Sequence, residues 1–150
     1  MSIRTLLIIV AIPIVLFVAI QLLPIGKPEP NPPVLAEPAW DSPQTRALAQ
    51  RACFDCHSNE TTWPIYTQVA PVSWLITHDV ADGRRHLNFS EWGTGRTADP
   101  TRRARAADES RKEITRGDMP PAIYLLMHPD AKLSEAERQQ LLDGLMASLK

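Results

Sequence analysis

The chain has 150 residues and a formal net charge of −1, with 44% hydrophobic and 22% charged residues. That length suits one ordinary domain and argues against two. From residue 41 onward fourteen Lys and Arg stand against fifteen Asp and Glu, a balance that gives no reason to expect a nucleic-acid partner.

The first element is apolar. Leu6 to Ile20 is a run of fifteen apolar residues, extended past Gln21 by Leu22, Leu23 and Ile25. About twenty such positions cover a hydrocarbon core of roughly 30 Å. The run is longer than the apolar region of a cleaved signal peptide, and the nearest small-residue cleavage pattern, Val34-Leu35-Ala36, lies well beyond it. An uncleaved anchor over residues 1–26 is favoured over a cleaved leader. Arg4 and Lys27 specify orientation only weakly. Either reading carries the rest of the chain out of the cytoplasm, to a periplasmic location, when the N-terminus stays inside.

Seven prolines fall between Pro24 and Pro43. A stretch of that composition reads as an extended spacer or a disordered tether, here a linker over 27–43. The remaining 44–150 segment has helical periodicity throughout. Asp41-Ser42-Pro43 offers a cap and a proline start for a helix running into QTRALAQRACFDCH. A second helix starts near Pro71, with Val72, Leu75, Ile76 and Val80 at helical spacing, and ends at Gly83 or just after it. HLNFSEWGTGRTADP reads as loop. Thr101 to Arg116 is a polar helix stopped by Gly117, and Ser134 to Glu137 is a capping box ahead of Leu141, Leu142, Leu145 and Leu149. The expectation is an all-α domain with loops long enough that a large apolar cofactor fills part of its core.

Both cysteines lie in CFDCH, residues 53–57. C-x-x-C-H is the attachment pattern of c-type haem. On a helical turn Cys53 and Cys56 share a face and can reach two vinyl groups of one porphyrin edge. His57 then supplies an imidazole to the iron as proximal ligand. A structural zinc site lacks the second cysteine pair it needs, and His78 with His86 is not a usual ligand pair. A thioredoxin-like dithiol belongs beside a βαβ pattern, which is missing here, and a disulfide across two residues would be strained.

For the opposite face of the iron the candidates are Met119, His78, Met127, His86 and His128. Met119 is preferred, because Pro120 and Pro121 stiffen the loop that would present its sulfur. His78 is the best histidine, His86 beside Arg84 and Arg85 reads as exposed, and His128 before Pro129 as a turn anchor. Trp63, Trp74 and Trp92, with Tyr66 and Phe89, are ordinary core aromatics that would also shield a haem. Arg84, Arg85, Arg96, Arg102, Arg103 and Arg105 form a basic cluster, either a solvated surface or a face for an acidic partner or for haem propionates.

The stretches CFDCHSNETTWPIY, APVSWLITHDVADGRRHLNFSEW and GDMPPAIYLLMHPDAKLSEAE resemble the haem-binding domain family of small exported cytochrome-c-like proteins, over about residues 45–145. The resemblance implies one covalent haem c held by Cys53 and Cys56, with His57 as an axial ligand. The M-P-P and L-S-x-x-E stretches are also similar to the distal loop and last helix of class I cytochromes c, which supports Met119, although the stretch from Met119 to Leu133 is long for such a protein. The expected function is single-electron transfer between exported or membrane-bound redox proteins. No paired carboxylates, nucleophile elbow or phosphate loop suggests an enzyme. The alternative is a haem enzyme or sensor with an open or displaceable distal position, for peroxide or a diatomic gas.

Overall fold

The computed structural model describes residues 2–150. Among these residues there are seven α-helices and three short 3₁₀ turns, with one isolated bridge, Ala36 with Glu91, and no strand. The fold is all-α, as the periodicity indicates. The helices are α1 (Ile3–Gln21), α2 (Pro43–Ala52), α3 (Phe54–His57), α4 (Val72–His86), α5 (Pro100–Arg116), α6 (Ala122–Met127) and α7 (Glu135–Ser148).

The chain divides into two units, one made of the segments up to Pro30 and Trp63–Asp79, the other of Asn31–Thr62 and Val80–Lys150. In the first, α1 is apolar along its length, has no buried residue and is long enough to cross a membrane. Its last residue is not loose. The Gln21 side-chain amide donates to the Ala70 carbonyl at 3.0 Å and accepts from the Ala70 N–H at 2.9 Å. Gly26 has φ +58°, and a Cβ there would come within 2.2 Å of Trp74 Cδ1, so only glycine fits the approach.

The second unit holds the main core. Leu48, Phe54, Leu87, Phe89, Trp92, Ile114, Leu141 and Leu145 are buried together, and full burial of side chains this size is worth about 1.5–3 kcal/mol each. Trp40 packs on Phe89 at 5.3 Å and Phe54 on Phe89 at 5.5 Å between ring centroids. Cap chemistry sets the helix ends. Ser42 accepts from Thr45 N at 3.1 Å with Pro43 at the first turn, Asp99 does the same for Thr101 N at 2.8 Å, and Gly117 ends α5 at φ +77°. Ser134 and Glu137 form the expected capping box. Helices α2 and α7 cross where Gly144 meets Thr45, and a Cβ on Gly144 would lie 2.1 Å from Thr45 Oγ1.

Three expectations change. The helix foreseen from Pro43 through the motif breaks at Cys53, whose φ −129° and ψ −33° leave helical geometry. The stretch from Met119 to Leu133 contains an unforeseen helix, α6, and a 3₁₀ turn at Pro129–Ala131. The proline-rich 27–43 stretch is extended, but it does not run as a free spacer. Leu35 N and Ala36 N donate to the Ser90 carbonyl, and Trp92 N donates to Ala36 O at 2.9 Å. The loop it pairs with is itself core, with Phe89 and Ser90 fully buried.

Candidate functional site

Cys53, Cys56 and His57 are placed by a single turn. The N–H groups of Cys56 and His57 donate to the Cys53 carbonyl at 3.2 and 2.9 Å, and both cysteines are thiols. Burial, with a smaller contribution from Cys56, pushes the Cys53 thiol up to about 12. The His57 Nδ1 lies 3.0 Å from the Gly83 carbonyl and 3.1 Å from that of Leu87. Carbonyls only accept, so Nδ1 carries the hydrogen and Nε2 keeps the lone pair. Burial lowers the His57 pKa against the raising effect of those two carbonyls, which favours the neutral, metal-binding imidazole.

Gly83 makes this arrangement possible. It lies inside α4, where a Cβ would come within 2.5 Å of the Cys56 carbonyl oxygen and 3.1 Å of Cys56 Cβ. The sequence places the end of this helix at Gly83 or just after it, and α4 ends at His86; the glycine itself is inside the helix because the motif backbone passes against it. A glycine inside an otherwise good helical pattern was the available signal.

Asp55, between the cysteines, was not foreseen as a structural centre. Its Oδ1 accepts from Thr62 N at 2.9 Å and its Oδ2 from the Tyr124 hydroxyl at 2.7 Å. No spacing rule links residues 55 and 124. After the motif, Asn59 N donates to Ser90 Oγ at 2.9 Å and Asn88 Nδ2 to Asn59 Oδ1 at 2.9 Å, a buried amide network that holds the following loop.

Met119 and Cys53 line the same cleft, of about 150 Å³, whose walls include Ile114, Pro120, Leu125, Leu133 and Leu141. Met119 itself is 38% exposed. The structure thus brings the preferred distal residue to a largely apolar cleft, lined also by Lys132 and Arg138, that reaches the first cysteine.

The model of one family, described as Haem-binding domain, matches residues 15–147, most of the chain. The protein belongs to the haem-binding domain family. Comparisons with curated proteins and with solved structures find no match.

The side chains of this haem-binding domain fit the group its family takes. An imidazole with a set tautomer, two thiols on its own turn and a thioether at the rim of an apolar cleft are suited to haem iron and its periphery. A bare metal ion fares differently, because among the described residues no three His, Cys, Asp or Glu side chains gather as an ion site. His78 stands on α4 with its side chain 72% exposed and its Nδ1 3.4 Å from Asp79 Oδ1. His86 is exposed beside Asp82 and Glu109. His128 follows α6, with Nδ1 3.0 Å from the Tyr124 carbonyl and its ring stacked on Tyr124 at 3.9 Å.

Most of the arginine cluster is engaged locally. Arg84 donates to Ser58 O at 2.8 Å, Thr61 Oγ1 at 2.9 Å and Asn31 Oδ1 at 3.0 Å, which clamps the loop after the motif. Arg85 pairs with Asp82 and Arg105 with Glu109, while Arg103 donates to the Thr97 and Ala98 carbonyls.

Proposed function

We propose that this haem-binding domain is a membrane-anchored monohaem c-type cytochrome that passes single electrons between exported or membrane-bound redox proteins. The observation that carries the reading is the His57 imidazole, held through Nδ1 by the Gly83 and Leu87 carbonyls, on the same turn as two cysteine thiols. Cys53 and Cys56 would each add S–H across a vinyl group, forming a C–S and a C–H bond with no oxidant required. His57 would give Nε2 as proximal ligand and Met119 its sulfur as distal ligand. Bound in this way, haem iron supplies a one-electron couple. The chain's own part is to hold the imidazole rigid, to keep apolar walls around Cys53 and Met119, and to present a thioether that favours a higher potential.

In this reading α1 is the membrane anchor, the remainder lies outside the cytoplasm, and the protein is a carrier, not a catalyst. A second reading has one observation in its favour. Met119 is 38% exposed, and a sulfur left that open suits a distal position that a diatomic gas or peroxide displaces, as in a sensor or haem enzyme.

Optical and resonance Raman spectra of wild type, Met119→Ala and His78→Ala separate the two. A six-coordinate low-spin iron that does not bind carbon monoxide, converted to a ligand-binding form only by Met119→Ala, is the result expected for electron transfer. Rapid carbon monoxide binding by the wild type would overturn that reading in favour of the second. Haem that stays on the chain through denaturing electrophoresis is expected from two thioethers.

A further inference from the structure

The stretch Trp63–Thr77, WPIYTQVAPVSWLIT, contains no Asp, Glu, Lys or Arg, although such residues make up 22% of the chain. Ala70 is buried and Trp63, Trp74 and Ile76 are partly so, but four of its apolar side chains stay open. Ile65 is 87% exposed, Leu75 50%, Val72 45% and Val69 39%. In a soluble surface an open apolar set of this kind marks an interaction site. Within the same unit, this stretch is joined to the end of the apolar helix by the paired hydrogen bonds between Gln21 and Ala70 and by the close seat of Gly26 against Trp74.

The length of α1 sets the level of that joint. Nineteen residues at 1.5 Å each make a rod of about 28 Å, close to the thickness of a hydrocarbon core. Gln21 therefore falls where hydrocarbon gives way to headgroups, and its amide meets the Ala70 peptide with donor against acceptor and acceptor against donor. That pairing suits a site where water is scarce. Val69 and Val72 flank Ala70 in the chain, which puts these two open side chains near the level of the joint. Tyr66 is of a residue type that collects at membrane–water interfaces, whereas Trp63 and Trp74 keep their indole N–H groups buried. The charge-free stretch then ends abruptly at His78 and Asp79, both exposed.

We propose that residues 63–77 are a second membrane contact, an interfacial patch seated in the lipid headgroup layer through Ile65, Val69, Val72 and Leu75 beside the root of α1. The proposal rests on the anchoring of α1 advanced above. It also makes α1 a retained part of the fold, because removal of the helix as a leader would strip Ala70 of its Gln21 partner. The family match begins at residue 15, inside α1, in accord with a helix that belongs to the domain.

The test places the photoreactive residue p-benzoylphenylalanine at Ile65, Leu75 or Asp79 in the full-length haem protein, reconstituted in phosphatidylethanolamine–phosphatidylglycerol vesicles. An unchanged haem spectrum reports that each variant has folded. The expected result is several-fold more lipid adduct from positions 65 and 75 than from position 79. Equal yields at all three positions, in protein that resists alkaline carbonate extraction, overturn the interfacial patch and leave the anchor standing. Release by carbonate, with a shortened N-terminus, overturns the anchor and the patch together.

Discussion

The Tyr124 hydroxyl donates to Asp55 Oδ2 at 2.7 Å, and so a residue of α6 is fastened to the residue between the two cysteines. The same carboxylate takes the Thr62 N–H at 2.9 Å, which makes Asp55 a joint between the motif turn, the loop after it and α6. The Tyr124 ring is further stacked on His128. Met119, the proposed distal ligand, is three residues before the start of α6, so its loop is held from one side by this joint.

Tyr124→Phe keeps the ring and removes the donor. It is expected to cost about 1 kcal/mol, the usual scale for one hydrogen bond, with the carboxylate acceptor placing it toward the upper side. Amide exchange should quicken in α6, while α5 and α7 keep their rates. In the haem-loaded protein the distal side should admit exogenous imidazole more readily than in wild type. Unchanged exchange across Ala122–Met127 would show that the bond does not hold the helix.

Gly83→Ala sets two effects against each other. Alanine inside a helix is favoured over glycine by about 1 kcal/mol. Here its Cβ would be 2.5 Å from the Cys56 carbonyl oxygen, a backbone atom that moves only if the motif turn moves. Overpacking of that kind costs about 1–3 kcal/mol, so net destabilisation is expected, together with a reduced yield of haem-loaded protein. A gain in melting temperature with full loading would mean that the motif turn has slack that the geometry does not suggest.

Much of the helical frame is legible in the residues, because it is fixed by local chemistry. Ser42-Pro43, Gly117 and the Ser134–Glu137 box each act within a few positions of themselves, and the helix ends they set are found where those residues direct. What is not legible depends on partners distant in the chain. Helix α6 follows two prolines and is only six residues long, and its tie to Asp55 crosses 69 positions. Extended residues 35 and 36 read as spacer because their partners are the backbone groups of Ser90 and Trp92. The site divides in the same way. CFDCH and Met119 are visible as chemistry, whereas the carbonyls that orient His57 belong to Gly83 and Leu87 and carry no side-chain signature.

Gly144→Ala tests the crossing of α2 and α7. Its Cβ would come within 2.1 Å of Thr45 Oγ1 and 2.5 Å of Thr45 Cγ2, and Thr45 is itself buried. A loss of about 1–3 kcal/mol is expected from chemical denaturation. Thr45→Ala removes both of those atoms, so the double variant should lose less than the sum of the two single variants. Strict additivity would show that the helices separate independently of this contact.

The Arg51–Glu137 pair gives an acid-stability prediction. The Arg51 guanidinium, 2.5 Å from the Glu137 carboxylate, and then the Ser134 backbone and hydroxyl hold the Glu137 pKa down to about 2. A carboxyl depressed in the folded chain stabilises it above the unfolded value of 4.5, and this contribution is lost as pH falls through about 2. Glu137→Gln should therefore lower the melting temperature at pH 6, with the difference from wild type closing as pH falls from 4 to 2. A difference that is constant with pH would show that the charge of the Glu137 carboxylate contributes nothing to it.

Cys53 predicts the opposite slope at the alkaline end, in the haem-free chain. With its folded pKa raised to about 12 by burial, the thiol keeps its proton through a range where an unfolded cysteine has lost it. The folded chain then binds the extra proton, so stability falls as pH rises from about 9 toward 12. The same shift governs reactivity, since only the thiolate is alkylated. At pH 8 the folded Cys53 should react with iodoacetamide on the order of a thousandfold more slowly than in urea-unfolded chain, the ratio of their thiolate fractions. Mass spectrometry of peptides cut between Cys53 and Cys56 reads this residue by residue. Equal rates in folded and unfolded chain would show that the Cys53 sulfur is open to water, and that the apolar wall it shares with Met119 is not closed before haem arrives.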